Sequence, residues 1–273
     1  MTLLLRFILL LRRLVIRVIH HSIEAISYLL NYIKPTPSNQ LRVVIFAQGR
    51  TGSTLLESLL KSTGYFRSYE ELFNIEKGEI LFPLTFLYGL LKWQPKNNFI
   101  FHVKIYQLTK KRKHPVDPAL FIETLYKDGW KIIYLRRRNK VKHALSIYFA
   151  RNRSSRYLFN KWHKFDDRPE KLNISIECDK FKRSTEKLIN YDAQEKKVLA
   201  NIEYHEVVYE DDLEKPESHQ KTVDRILNYL SLESREAFTK YRKVNNQSPE
   251  ELVSNYEEFL ECLSEQGWEK FLK

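Results

Sequence analysis

The pattern of apolar and polar positions changes character along the chain. In residues 1–33, Arg6, Arg13, Arg17, His20 and Glu24 follow one another at spacings of 7, 4, 3 and 4, which places them on one helical face. Leucine, isoleucine, valine and phenylalanine fill the rest, and only Arg12 falls badly off the stripe. The spacing predicts a basic amphipathic helix over residues 1–33. A membrane-spanning helix would bury several arginines at about 3 kcal/mol each near the bilayer centre. The apolar run before Arg12 is also too short to span, and no small-residue cleavage site follows it. Two readings fit the amphipathicity: the better is a helix lying on an anionic membrane surface, and the plain alternative is one packed on the domain or a leader from an upstream start codon. Residues 34–40, Lys-Pro-Thr-Pro-Ser-Asn-Gln, read as a linker, because two prolines end the helix and stiffen the exit.

From residue 41 the pattern becomes one of short continuous apolar runs separated by helical periodicity. Arg42–Ala47, Phe99–Ile105 and Lys131–Leu135 read as buried strands. Leu55, Leu56, Leu59 and Leu60 have helical spacing, as do Val141, Leu145, Tyr148 and Phe149. Thr222 to Leu230 and Pro249 to Leu263 read as covering helices. The expected fold is α/β, a parallel sheet with helices on both faces forming one domain over residues 41–273. The 273 residues are 43% hydrophobic and 13% aromatic, enough for a sizeable core and too apolar for disorder. Cys178 and Cys262 are too few for a disulfide framework or a cysteine-based metal site, and no His/Cys/Asp/Glu cluster has ligand spacing.

Net charge is +12, with 46 Lys and Arg against 34 Asp and Glu, which implies an anionic partner without choosing it. Two stretches narrow the choice. After the first strand comes Gln48-Gly49-Arg50-Thr51-Gly52-Ser53-Thr54, leading into the first helix. Strand, glycine-containing loop and helix together present backbone N–H groups and a helix N-terminus to a phosphate. The glycines allow close approach, Ser53 and Thr54 supply hydroxyls and Arg50 a fixed charge; an ordinary turn capped by Ser53 is the plain alternative. A nucleoside-triphosphate loop needs a leading glycine and a Gly-Lys pair, but Ala47 and Gly52-Ser53 stand there. An ordinary kinase is therefore disfavoured. The second stretch, Lys131 to Arg156, has nine Lys or Arg and no acid, whereas a solvated helix face interleaves both signs. Asn139 is a plausible N-cap for the helix inside it.

Phe46 to Leu56, FAQGRTGSTLL, resembles the 5′-phosphosulfate-binding loop of the sulfotransferases that use 3′-phosphoadenosine 5′-phosphosulfate (PAPS). YLRRRNKVKHALS resembles their 3′-phosphate motif, an arginine ending a strand followed eight residues later by a serine, here Arg138 and Ser146. Lys140 stands where the family often has proline. The resemblance runs from about Arg42 to the C-terminus and is nearest to bacterial carbohydrate sulfotransferases of the trehalose type. It implies a P-loop-like α/β fold, PAPS as donor and no metal. Arg50, Thr51, Gly52, Ser53 and Thr54 would hold the 5′-phosphosulfate, and Arg138 with Ser146 the 3′-phosphate.

The resemblance also implies a glutamate base before an apolar-aromatic pair. Alignment on Leu72-Phe73-Asn74 selects Glu71, with Glu70 the off-by-one alternative; both would otherwise be surface acids capping a helix. Lys104, ending the Phe99–Ile105 strand and followed by Gln107-Leu108, would stabilise the leaving phosphate or the transferred sulfuryl oxygens, or simply snorkel at an edge. His102 reads as a core residue facing away from Lys104's neighbours. Arg151 to Lys171 interleaves arginines with Tyr157, Phe159, Trp162 and Phe165, as an acceptor loop for sugar faces would.

The expected activity is PAPS-dependent sulfuryl transfer to a hydroxyl of a carbohydrate or glycolipid, with no nucleic acid as partner. A degenerate-loop nucleotide kinase and a non-enzymatic basic membrane- or nucleic-acid-binding protein are the rivals. Two reduced cysteines and a cytosolic donor favour the cytoplasmic side of a membrane, with peripheral contact through the first helix. The sequence leaves the acceptor and the oligomeric state open.

Overall fold

The computed structural model describes residues 3–110, 112–156, 173–241 and 248–272. In chain order its elements are α1 (Leu3–Ile33), β1 (Arg42–Ala47), α2 (Ser53–Ser62), β2 (Phe66–Ser68), α3 (Pro83–Trp93), β3 (Asn98–Val103), α4 (Ile105–Thr109), α5 (Pro118–Lys127) and β4 (Lys131–Arg136). Then follow α6 (Lys140–Arg156), α7 (Cys178–Val198), β5 (His205–Val208), α8 (Tyr209–Asp212), α9 (His219–Tyr229), α10 (Pro249–Leu252) and α11 (Tyr256–Ser264). The strands form one parallel sheet, in the order β2-β3-β1-β4-β5, flanked by helices. Val44 lies opposite Phe101 and Phe46 opposite Val103, while Phe66 of β2 lies opposite Asn98. Val43 through Ala47 have no exposed surface, as a strand covered on both faces requires. The predicted α/β parallel sheet is thus the observed one.

The chain divides into two compact units, Met1–Ala47 with Thr63–Tyr134 and Val198–His205, and Gln48–Ser62 with Leu135–Lys197 and Glu206–Lys273. The core of the first is aromatic. Phe73 meets the edges of Phe86, Phe101 and Phe121, and Trp130 meets Phe99 and Phe101. Such edge-to-face pairs add about 0.5–1.5 kcal/mol each beyond area burial. Against this body lies the C-terminal half of α1. Ser27 is fully buried, and a Cβ at Gly89 of α3 would fall 1.8 Å from the Ser27 carbonyl oxygen, so only glycine lets the two helix backbones approach this closely. Lys92 donates to both the carbonyl and the side-chain oxygen of Asn31 at 2.7 Å. Glu24 accepts from Leu81 N at 2.7 Å and from the Tyr28 hydroxyl. Packing on the domain, one of the two readings of this helix, holds for its C-terminal half.

The second unit buries Val141, Leu145, Phe149, Phe181, Leu188, Phe259 and Leu263 together. Helix continuity predicted over Pro249 to Leu263 is broken after α10, where Ile174 and Val253 form a parallel bridge and Asn255 binds both main-chain groups of Ile176. Cys178 at the start of α7 and Cys262 of α11 are joined by a disulfide, with their Cα atoms 5.8 Å apart. The expectation of two reduced thiols is therefore corrected, and one ground for a cytoplasmic location goes with it.

Candidate functional site

The second unit contains both phosphate motifs. Loop Gln48–Gly52 enters α2 through two left-handed residues, Arg50 with φ 69° and Gly52 with φ 93°. At Gly52 a side chain would be strained and its Cβ would sit 3.0 Å from the Tyr209 ring, so glycine is required twice over. Thr51 is fully buried and its hydroxyl donates to Gln48 O at 2.8 Å, so this side chain shapes the loop and leaves only its backbone for an anion. Ser53, 5% exposed, opens α2, whose first N–H groups have no partner within the helix.

The loop is fixed from outside by residues that sequence reasoning missed. His143 of α6 has no exposed surface, and its Nε2 donates to Gly49 O at 2.7 Å. Burial, together with the nearby cations Arg137, Lys140 and Arg50, outweighs that hydrogen bond and pushes its pKa down to about 3, so the ring is neutral. Gln48 donates to the buried carboxylate of Glu195 in α7 at 3.0 Å. A histidine four residues after a predicted N-cap is the one local sign of the first contact.

Arg50 Nε donates to Ser146 Oγ at 3.4 Å, so the structure joins one residue from each predicted phosphate motif. It does not place Arg138 on Ser146. The exposed Arg138 guanidinium pairs with Asp211, while Glu210 accepts from the N–H groups of Arg138 at 2.9 Å and Asn139 at 3.0 Å. Asn139 caps α6 as predicted, accepting from Lys142 N at 2.8 Å. Arg137, absent from the expected set, is buried against the Tyr209 ring at 4.6 Å and lies 3.7 Å from Glu210. Arg138 also lines a cleft with Lys140, Thr185, Trp268 and Phe271.

The first unit contains the candidate acid–base group. β2 is continued by Tyr69, whose N–H donates to Ile100 O, and by Glu70, whose carbonyl accepts from His102 N at 3.1 Å. Glu70 then turns through φ 53°, and that turn delivers Glu71 to the carboxyl end of β3. The Glu71 carboxylate accepts from Lys104 Nζ, from Gln107 Nε2 at 2.9 Å, and lies 3.4 Å from His102 Nε2. Burial would raise its pKa, but His102 and the Lys104 ammonium outweigh burial and hold it at about 2. Of the two glutamates, Glu71 has this constellation. His102 is buried as expected, yet it faces Glu71: residues 102 and 104 share a strand face because side chains alternate with period two. The strand predicted through Ile105 stops at Val103, and Lys104 follows it as the N-cap of α4, with Gln107 bonding back to its N–H at 3.0 Å. The predicted acceptor loop lies, from residue 157 to 172, outside the described residues. Among the described residues no group of His, Cys, Asp or Glu could hold a metal ion.

No protein-family model matches this chain, and no curated protein matches it. Among solved structures, a sulfotransferase from Alicyclobacillus acidocaldarius is similar to it with a TM-score of 0.47 and 14% identity, over 84% of this chain and 98% of that one.

Proposed function

We propose that the protein transfers a sulfuryl group from PAPS to a hydroxyl of a carbohydrate or glycolipid. The observation that carries the reading is the contact of Arg50 with Ser146, which links a phosphate-type loop lacking the triphosphate lysine to the serine of the second motif. The loop suits the donor's phosphates chemically: a guanidinium, a serine hydroxyl, two glycine-permissive turns and a helix N-terminus converge there. Arg50, Gly52, Ser53, Thr54 and the backbone of Thr51 would hold the 5′-phosphosulfate, and Ser146 with Arg138 the 3′-phosphate. Arg138 would exchange Asp211 for that phosphate.

When bound, the donor supplies a sulfuryl group on a phosphate leaving group. Transfer then requires positioning, neutralisation of the leaving phosphate and removal of the acceptor proton. Glu71 would take the acceptor hydroxyl's proton as the new S–O bond forms and the S–O bond to the 5′-phosphate breaks, with 3′-phosphoadenosine 5′-phosphate as the leaving group. Its carboxylate is ionised at any working pH, but with a pKa of about 2 it is a weak base while Lys104 holds it. Lys104 releasing Glu71 in favour of another anion raises the basicity of Glu71 at the moment the proton must leave. Gln107 keeps the carboxylate oriented throughout.

The test is thermal unfolding with 3′-phosphoadenosine 5′-phosphate, using 5′-AMP and ATP–magnesium as controls. A ligand bound only by the native state raises the midpoint as RT ln(1 + [L]/Kd). Stabilisation by the bisphosphate alone supports the reading. Stabilisation by ATP–magnesium alone moves it to a nucleotide kinase, and no shift with any ligand removes it.

A further inference from the structure

We infer that α1 lies in the plane of an anionic lipid bilayer and docks through an apolar arc facing away from α3. This does not rest on the sulfotransferase reading. At 1.5 Å per residue the 31-residue helix is about 46 Å long. Among the described side chains, those engaged with the domain lie in its C-terminal half: Ser27 and Glu24 are buried, and Asn31 is held by Lys92. Every side chain from Leu14 to Ile19 is exposed. Five of those six are apolar, and a helix apolar nearly all round is stable only when something covers it.

The geometry of the arc selects the occupant. Leu11, Leu14, Val15, Val18 and Ile19 are 44% to 58% exposed, and Leu29 continues their line on the far half of the helix. At about 100° per residue, Leu14 and Ile16 bound an uncovered arc of roughly 200° that contains the others. A second helix covers a narrow seam of two positions in seven; a bilayer surface covers an arc this wide. Tyr32, 90% exposed, and Phe82, whose ring meets Tyr28, add aromatic surface at the end of the arc, the residue type that settles at headgroup depth. Charge decides the rest. Residues 1–23 carry Arg6, Arg12, Arg13 and Arg17 and no acid, and the first acid, Glu24, is buried and already bonded. A second copy would bring two such clusters together, whereas anionic headgroups attract them. No helix among the described residues is long and apolar enough to cross a membrane, which leaves the in-plane position.

The experiment is co-sedimentation of the full chain with phosphatidylcholine vesicles, with and without 25% phosphatidylserine. Binding to the anionic vesicles is expected to fall about tenfold or more between low and high salt. Leu14→Glu with Val18→Glu should lose binding by about tenfold or more on both vesicle types, with unchanged circular dichroism because both positions are exposed. Arg13→Glu with Arg17→Glu, both outside the arc, should lose it on anionic vesicles alone. Failure of the wild-type chain to sediment with anionic vesicles at low salt, or unchanged binding by Leu14→Glu/Val18→Glu, overturns the proposal. A concentration-dependent dimer abolished by Val18→Glu would assign the arc to a second copy and overturn it too. Stabilisation by 3′-phosphoadenosine 5′-phosphate, measured on the same variants, keeps this outcome separate from that of the enzymatic reading.

Discussion

His143 Nε2 donates to the carbonyl oxygen of Gly49 at 2.7 Å, although 94 residues separate them. A buried, neutral ring is thereby used as a fixed strut for the loop, with its proton on Nε2. His143→Ala removes that hydrogen bond, which costs about 0.5–1.5 kcal/mol. The expected outcome is a lower melting midpoint and affinity for 3′-phosphoadenosine 5′-phosphate weakened about fivefold or more. Calorimetric titration checks it, and unchanged affinity removes the strut role.

Acid should destabilise the fold through two groups whose windows overlap, His143 from pH 6.5 downward and Glu71 from 4.5 downward. The folded pKa of His143 is depressed from 6.5 to about 3, so the unfolded state binds the extra proton and stability falls as pH drops below 6.5. The slope approaches roughly 1.4 kcal/mol per pH unit. The carboxyl of Glu71 is depressed from 4.5 to about 2, so its contribution is complete above 4.5 and is lost on acidification through the range down to 2. Urea unfolding at several pH values should therefore flatten between 6.5 and 4.5 in His143→Gln, while Glu71→Gln should keep the His143 slope below 4.5 and lose only its own share of the fall. Parallel curves for wild type and His143→Gln would mean that the imidazole titrates normally.

Glu71→Gln should lower turnover about 10²–10⁴-fold, the usual reach of general acid–base catalysis, while stabilisation by 3′-phosphoadenosine 5′-phosphate persists. Wild-type turnover in this variant would exclude Glu71 as the base. Lys104→Ala should raise the Glu71 pKa toward its ordinary value, readable as a shift in the acidic limb of the pH–rate profile.

Gly52→Ala tests the loop backbone. With φ at 93° and the new Cβ 3.0 Å from the Tyr209 ring, strain of about 1–3 kcal/mol is expected. Loss of ligand-induced stabilisation should accompany it, because the turn that aims the loop into α2 must shift. Wild-type stabilisation by the ligand would show that the turn does not shape the anion site.

Reducing the Cys178–Cys262 bond should lower stability by about 2–5 kcal/mol, visible as a lower midpoint with dithiothreitol and reproduced without it in Cys178→Ser. Equal midpoints in the two conditions would assign the bond no stabilising part.

Local signals made much of this fold legible. β1 spans Arg42–Ala47, as its apolar run predicts, and β4 ends one residue beyond Leu135, because full burial leaves a continuous apolar run. The glycine spacing of the phosphate loop located Gly52 at its left-handed turn. Long-range pairings were hidden. Nothing local links Cys178 to Cys262, Gln48 to Glu195, or His143 to Gly49, since each pair meets only once the chain has folded back. The grouping of His102 with Lys104 was readable from period-two alternation, but their partner Glu71 depends on the left-handed turn at Glu70, a conformation that residue type does not forecast. Arg138 illustrates a third limit: spacing located it, while its salt bridge to Asp211 depends on the tertiary position of α8.

The disulfide also closes residues 178 to 262 into a covalent ring. A protease that cuts once inside this ring opens a loop without releasing a fragment, so the severed chain keeps its full mass on a non-reducing gel and splits only after reduction. A cut before residue 178 frees its N-terminal piece under either condition. Digests compared with and without reductant thus report on which side of Cys178 the chain is first accessible.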